Sequence, residues 1–182
     1  LTERTGRVGR SRPVRSIVPM TQSHIPLPPS SRIPAEIQCA RDYEFLARRF
    51  IADPVYAYIA GGSGHDVTAT ANLAAFAERT LCPRLLRDVT QGHTRVELLG
   101  RTHTHPILLA PVAFHKMVHP TGELDTARAA AALDACMVVS TLSSIALEAI
   151  AGASDREKWF QLYFQPTREA TLNLLMRAEE AG

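Results

Sequence analysis

Three short stretches hold side chains that could work on a ligand: Ala110-Pro111-Val112-Ala113, Ser140-Thr141-Leu142-Ser143-Ser144 and Gln161-Leu162-Tyr163. Each closes an apolar run. Together they offer open backbone, several hydroxyls, one amide and one phenol, and no carboxylate. Such a set serves a metal poorly, and glycoside chemistry poorly too, since that needs paired carboxylates. It suits a flat heterocycle with a polar edge. Small residues let a ring lie against the backbone and accept N–H bonds. Gln161 can donate and accept at a carbonyl–NH edge, and Tyr163 can donate to a carboxylate or a developing oxyanion. From the residues alone, Tyr163 and Tyr58 read as well as core tyrosines.

The elements that would position these stretches follow from the pattern before and between them. Ile107–Ala110, Met137–Ser140 and Trp159–Phe164 are apolar strands. Thr121–Leu133, Ser144–Ala151 and Thr167–Ala181 are helices, the first rich in alanine and the last with Leu172, Leu175 and Met176 at helical spacing. Strand–helix repeated three times, with strands apolar on both faces, predicts a parallel sheet covered by helices. In such α/β folds ligands sit at the carboxyl ends of the strands, where the three stretches fall. The units fill residues 106–182, about 26 residues each, and eight would need about 205. The expected fold is therefore the N-terminal portion, about three βα units, of a (β/α)8 barrel. Helices come before it: one from Asp42 as cap, one over Val55–Ala60 after Asp53-Pro54, and one capped by Asp66. Residues 81–105 read as extended, with a hairpin about Gly100-Arg101.

The chain has 182 residues, 46% apolar and 21% charged, with net charge +2, which gives no global field for nucleic acid or membrane. Residues 1–33 read as a disordered basic and Pro/Ser-rich leader, and residues 34–182 as the folded domain. Arg4, Arg7, Arg10, Arg12 and Arg15 could touch phosphates, but a leader or a mis-set start, with Met20 as a natural first residue, is the favoured reading. No apolar run reaches 18 residues and no secretory pattern is present, so no membrane span and a cytoplasmic location are expected. Cys39, Cys82 and Cys136 form no metal or disulfide pattern. His103 and His105 alternate along one strand face. Without a third ligand, a solvated hairpin edge is favoured over a metal site. His119 fits helix entry, and His115 stands beside the first strand end. Ser140, Ser143 and Ser144 lack a nucleophile elbow, so capping is favoured over nucleophilic chemistry.

Seven collinear motifs go further. "VYAYIAGGSGHDVT" (55–68), "LCPRLLRDVT" (81–90), "LLG" (98–100), "PILLAPVAF" (106–114), "HPTGELDTARAAA" (119–131), "STLSS" (140–144) and "WFQLYF" (159–164) resemble, in order and spacing, the FMN-dependent 2-hydroxy acid oxidases and dehydrogenases. The likeness spans about residues 41–182. It implies FMN as cofactor and a small L-2-hydroxy acid of the lactate, glycolate or mandelate type as substrate. It implies that Pro111, Val112 and Ala113 floor the flavin ring, and that Ser140 and Gln161 contact the flavin. It places Tyr163 against both flavin and substrate, and gives Tyr58 the substrate carboxylate. Two departures stand out: Leu142 replaces a tryptophan common in glycolate oxidases, and His115 sits where a smaller or uncharged residue is usual.

The same resemblance puts the catalytic base histidine, the carboxylate-binding arginine and a flavin-steadying lysine beyond Gly182, so no catalytic residue and no metal ligand is assigned within this chain. It also implies homo-oligomers, often tetramers, and no nucleic-acid partner. Alone, the chain is expected to be inactive and prone to association. A truncated remnant, the first piece of a split enzyme and a different flavin or phosphate-ligand barrel remain open as alternatives.

Overall fold

The computed structural model describes residues 25–28, 30 and 32–182; most of the basic leader lies outside the described residues. Two short helices open it, α1 (Asp42–Ala47) and α2 (Asp53–Ala60), followed by α3 (Val67–Ala77). Neither Asp42 nor Asp66 caps its helix as expected, and Asp53, expected as the cap ahead of Pro54, is itself the first residue of α2. Asp42 Oδ2 accepts from the Gln38 and Cys39 amides at 2.9 and 3.0 Å, and Asp66 Oδ1 accepts from Gly62 N at 2.8 Å. Both carboxylates tie the turn that precedes the helix instead of its first turn. Asp66 itself lies in the left-handed region at φ 59°, outside the extended geometry a capping residue adopts.

The hairpin is β1 (Val96–Leu98) against β2 (Arg101–His103), with Leu98 opposite Arg101. Its turn is thus Leu99-Gly100, one residue earlier than the sequence suggests. Both turn residues have positive φ, 50° and 77°, as a primed two-residue turn requires. The two alternate histidines of this region are not a solvated edge. His103 packs edge-on against Trp159 with centroids 5.9 Å apart. His105 Nε2 lies 2.9 Å from the Leu133 carbonyl, and its Nδ1 accepts from Ile107 N at 3.3 Å. They join the hairpin to the α/β part. Among the described residues no cluster of three His, Cys, Asp or Glu could hold a metal.

The α/β part runs α4 (Glu123–Ala132), β3 (Met137–Ser140), α5 (Leu147–Ala151), β4 (Lys158–Gln161) and α6 (Arg168–Ala181). β3 and β4 are parallel, Ser140 opposite Gln161. The apolar run at 107–110 is shorter as a strand than expected. Only Leu109 bridges to β3, donating to Cys136 O and accepting from Val138 N, both at 2.9 Å. On this side of the strand the next amides would be those of Ile107, which donates to His105 Nδ1 instead, and of Pro111, which has none.

Each helix starts a little late for a local reason. Gly122, at φ 53°, cannot continue a right-handed helix, so α4 begins at Glu123. Ser143 turns back on Ser140 O, which delays α5 to Leu147. α6 has a side-chain cap, Thr167 Oγ1 accepting from Ala170 N at 3.1 Å. The core is Ala127, Ala130, Ala135, Met137, Val139 and Ile150, with Leu109, Ile145 and Phe160 packed against it. The alanine run of α4 therefore acts as a close-packing face that lets the helix settle on β3.

Candidate functional site

The three stretches picked out by chemistry follow Leu109, β3 and β4 on the same side of the sheet. Ser140 is buried, and its hydroxyl donates to Gln161 Oε1 at 3.4 Å while accepting from Leu142 N at 3.1 Å. Strand register thus sets the amide of Gln161 beside the hydroxyl of Ser140. Thr141 carries the ladder one step further. Its hydroxyl donates to Gln161 O at 2.6 Å and accepts from Tyr163 N at 3.0 Å. That pair of bonds fixes the backbone where Tyr163 leaves the strand. The Tyr163 side chain is 54% exposed and its hydroxyl makes no hydrogen bond among the described residues, so the phenol faces open space.

The first stretch is tied to the second. Phe114 N donates to Leu142 O at 3.1 Å, and Lys116 N to Ser144 Oγ at 3.1 Å. Phe114 holds a left-handed φ of 58°, a strained conformation for a non-glycine residue, of order 1 kcal/mol or more. Val112 stands 57% exposed beside half-buried Ala113. This stretch is an apolar, side-chain-poor candidate floor, tied through Phe114 to Leu142, two residues past Ser140.

His115 turns away from that floor: its Nδ1 lies 3.1 Å from Thr126 Oγ1 on α4. His119 is also structural, with Nδ1 2.7 Å from Thr121 Oγ1, whose hydroxyl in turn bonds Asp125. The thirteen-residue loop from Ala110 to Gly122 is thus pinned by its polar side chains onto the first turns of α4.

Glu123 was legible in the sequence only as a helix start. In the structure it is fully buried. Its Oε1 accepts from Ser144 N at 2.7 Å and from His115 N at 3.2 Å, while Oε2 has no partner among the described residues. Burial pushes this carboxyl up, but the amides that point at it, with His115 nearby, outweigh burial together and hold it below the ordinary glutamate value. Thr141 and Ser144 also carry the geometry: Thr141 was read only as part of its stretch, and Ser144, expected as a cap, instead accepts from Lys116 N. Nothing in a single sequence separates them from ordinary strand-end hydroxyls.

Tyr58 is not brought to this group by any hydrogen bond. It lies on α2, 63% exposed, without a hydrogen-bond partner among the described residues. Its neighbour Tyr56 is committed elsewhere, donating to Glu44 Oε1 at 3.3 Å with the Arg48 guanidinium 4.8 Å above its ring. Of the two tyrosines in "VYAY", Tyr58 is the one left available.

Residues 47–182 match the family model described as FMN-dependent dehydrogenase. The chain belongs to the FMN-dependent dehydrogenase family. It is 55% identical over 154 residues to an L-lactate oxidase of Alicycliphilus denitrificans, covering 85% of this chain and 42% of that protein. It is 40% identical over 141 residues to a 4-hydroxymandelate oxidase of Amycolatopsis orientalis, covering 78% and 39%. Its fold is similar to mandelate oxidase solved with (S)-2-phenylpropionate, at TM-score 0.74 and 39% identity, over 78% of this chain and 42% of that one. The chain thus spans about two fifths of the length of these relatives. Its family is one of FMN-dependent oxidoreductases, as the sequence motifs imply.

The donor set here fits a flavin. Ser140 and Gln161 form a paired hydroxyl and amide, and the exposed Val112 and small Ala113 leave an apolar stretch after the neighbouring strand end at Leu109. No helix among the described residues is long and apolar enough to cross a membrane.

Proposed function

We propose that this chain forms the first part of the flavin and substrate site of an oxidoreductase that converts an L-2-hydroxy acid to the 2-oxo acid. In this reading the three βα units are the opening units of a (β/α)8 barrel and residues 34–182 are one folded domain. The observation that carries it is the seam of hydrogen bonds joining the three strand ends, Phe114 N to Leu142 O, the Ser140 hydroxyl to Gln161 Oε1, and the Thr141 hydroxyl to Gln161 O and Tyr163 N, with Tyr163 left exposed beyond it.

FMN, when bound, supplies the two-electron acceptor. The chain's own residues then bind and orient. The backbone of Pro111, Val112 and Ala113 supports the ring. Ser140 and Gln161 hold its polar edge. Tyr163 donates to the substrate at the flavin face, and Tyr58 donates to the substrate carboxylate. The proton acceptor for the substrate hydroxyl and the cation for its carboxylate come from residues outside this sequence. Of the histidines that follow the first strand end, His115 and His119 are turned onto Thr126 and Thr121 at the start of α4.

The test is anaerobic flavin reduction. FMN-loaded protein is mixed with L-lactate, glycolate or L-mandelate, first as this chain alone and then together with the C-terminal remainder of the Alicycliphilus lactate oxidase. The reading expects oxidised flavin in the first case and bleaching by a 2-hydroxy acid in the second. Bleaching by the chain alone would overturn the placement of base and cation outside it. Bleaching in the complex that survives Tyr163→Phe and Tyr58→Phe unchanged would overturn the roles of the tyrosines.

A further inference from the structure

Glu123 is a buried carboxylate that none of the binding roles above uses. It starts α4, yet it does not serve that helix as a cap. It reaches across to two other segments, taking the amide of His115 from the loop after Leu109 and the amide of Ser144 from the loop after β3 on one oxygen. The first loop carries the floor residues Pro111–Ala113, and the second follows directly on Ser140 at the end of β3.

Two further bonds cross the same seam, Phe114 N to Leu142 O and Lys116 N to Ser144 Oγ, both at 3.1 Å. The neighbouring glycine belongs to it too. A Cβ on Gly122 would come within 3.0 Å of Lys116 Cγ, from the first loop, and within 3.4 Å of Ile145 Cδ1, from the second. Gly122 also sits at φ 53°, so a side chain there meets a strained backbone as well as both loops. The entry to α4 is wedged between the loops, and only a glycine lets the carboxylate in.

The cost of this arrangement shows that it is more than filling. A buried carboxylate is expensive unless bonds compensate it, and here two amides do so on one oxygen. The cost is offset where charge-assisted bonds hold groups that would otherwise drift. The segment it holds needs holding, because Phe114 is in a left-handed conformation one residue past the floor.

We infer that Glu123 is a positioning residue that locks the loops after the first two barrel strands into one rigid flavin floor, through the amides of His115 and Ser144. It touches neither ring nor substrate. This inference rests on the reading of the strand ends as a flavin site.

Amide hydrogen exchange and FMN titration on the full chain test it together. In Glu123→Ala, the amides of His115, Ser144, Phe114 and Lys116 should lose at least tenfold of their protection relative to those of Val138 and Val139 in β3. FMN affinity should fall at least tenfold, and the visible flavin band should shift. Glu123→Gln keeps one acceptor and should recover most of the affinity. If Glu123→Ala does not fold, Glu123→Gln and Ser144→Ala are read instead, each expected to show a smaller loss confined to the same amides. Arg156→Ala breaks an exposed ion pair with Asp134 at the opposite ends of β3 and β4 and should leave flavin affinity and spectrum unchanged. Unchanged protection at His115 and Ser144 in the Glu123 variants would overturn the inference. So would unchanged FMN affinity in a folded Glu123→Ala protein that has lost that protection. If the parent binds no FMN at all, the flavin reading fails, while the exchange pattern still decides whether Glu123 locks the loops.

Discussion

Thr141→Val removes one hydroxyl and keeps the shape of the side chain and its preference for extended backbone. Two hydrogen bonds go with it: the donation to Gln161 O at 2.6 Å and the acceptance from Tyr163 N at 3.0 Å. The two losses differ. Gln161 O keeps the Thr141 amide at 3.1 Å, so that carbonyl is not orphaned. Tyr163 N loses its partner, but it lies in an exposed residue that water can reach. A net hydrogen bond contributes about 0.5–1.5 kcal/mol, so the variant should lose about 1–2 kcal/mol of unfolding free energy. Urea unfolding measures this as a lower midpoint at constant slope. Thr141→Ser retains the hydroxyl and should recover most of the loss. A valine variant within about 0.5 kcal/mol of the parent, or a serine variant as damaged as the valine one, would refute the claim that this hydroxyl pins Tyr163.

Ile150 is fully buried in the core between α5 and β3, and Ile150→Ala should cost about 2–5 kcal/mol in the same assay. Leu99→Asn places a residue tolerant of positive φ before Gly100 in the hairpin turn and should stabilise by about 0.5–1 kcal/mol, seen as a raised urea midpoint. Glu123 titrates below its ordinary value of 4.5 in the folded chain, so its contribution is complete above that pH and is lost as pH falls through the lowered folded value. Subtracting the acid unfolding curve of Glu123→Gln from that of the parent should therefore show a difference that shrinks as pH drops below 4.5, and a constant difference would contradict this sign.

The pairing of the candidate strand ends is legible in the sequence because it follows from where the apolar runs stop. The apolar runs marked β3 and β4, and parallel register then set Ser140 opposite Gln161 without further help. The strand at 107–110 was overcalled because its apolarity says nothing about lost donors. Pro111 on one side, and on the other the turn of Ile107 N onto His105, confine pairing to Leu109. Asp42 and Asp66 have the composition of helix caps, but each found nearer amides in the preceding turn, a competition that sequence spacing does not resolve. His103 and His105 alternate like a solvated edge, yet the aromatic face of Trp159 and the Leu133 carbonyl are brought to them by segments 28 or more residues away. Glu123 was hidden for the same reason. Acidic residues are common in first helical turns, and only the packed loops show that this one is buried and bonded across them.

The central claim is that the joined strand ends form a flavin platform, and an FMN titration followed by flavin fluorescence and visible absorbance tests it most directly. The account predicts saturable binding with a changed flavin spectrum, weakened in Gln161→Ala and in Ser140→Ala. Absence of saturable binding, or binding that both variants leave untouched, would contradict it.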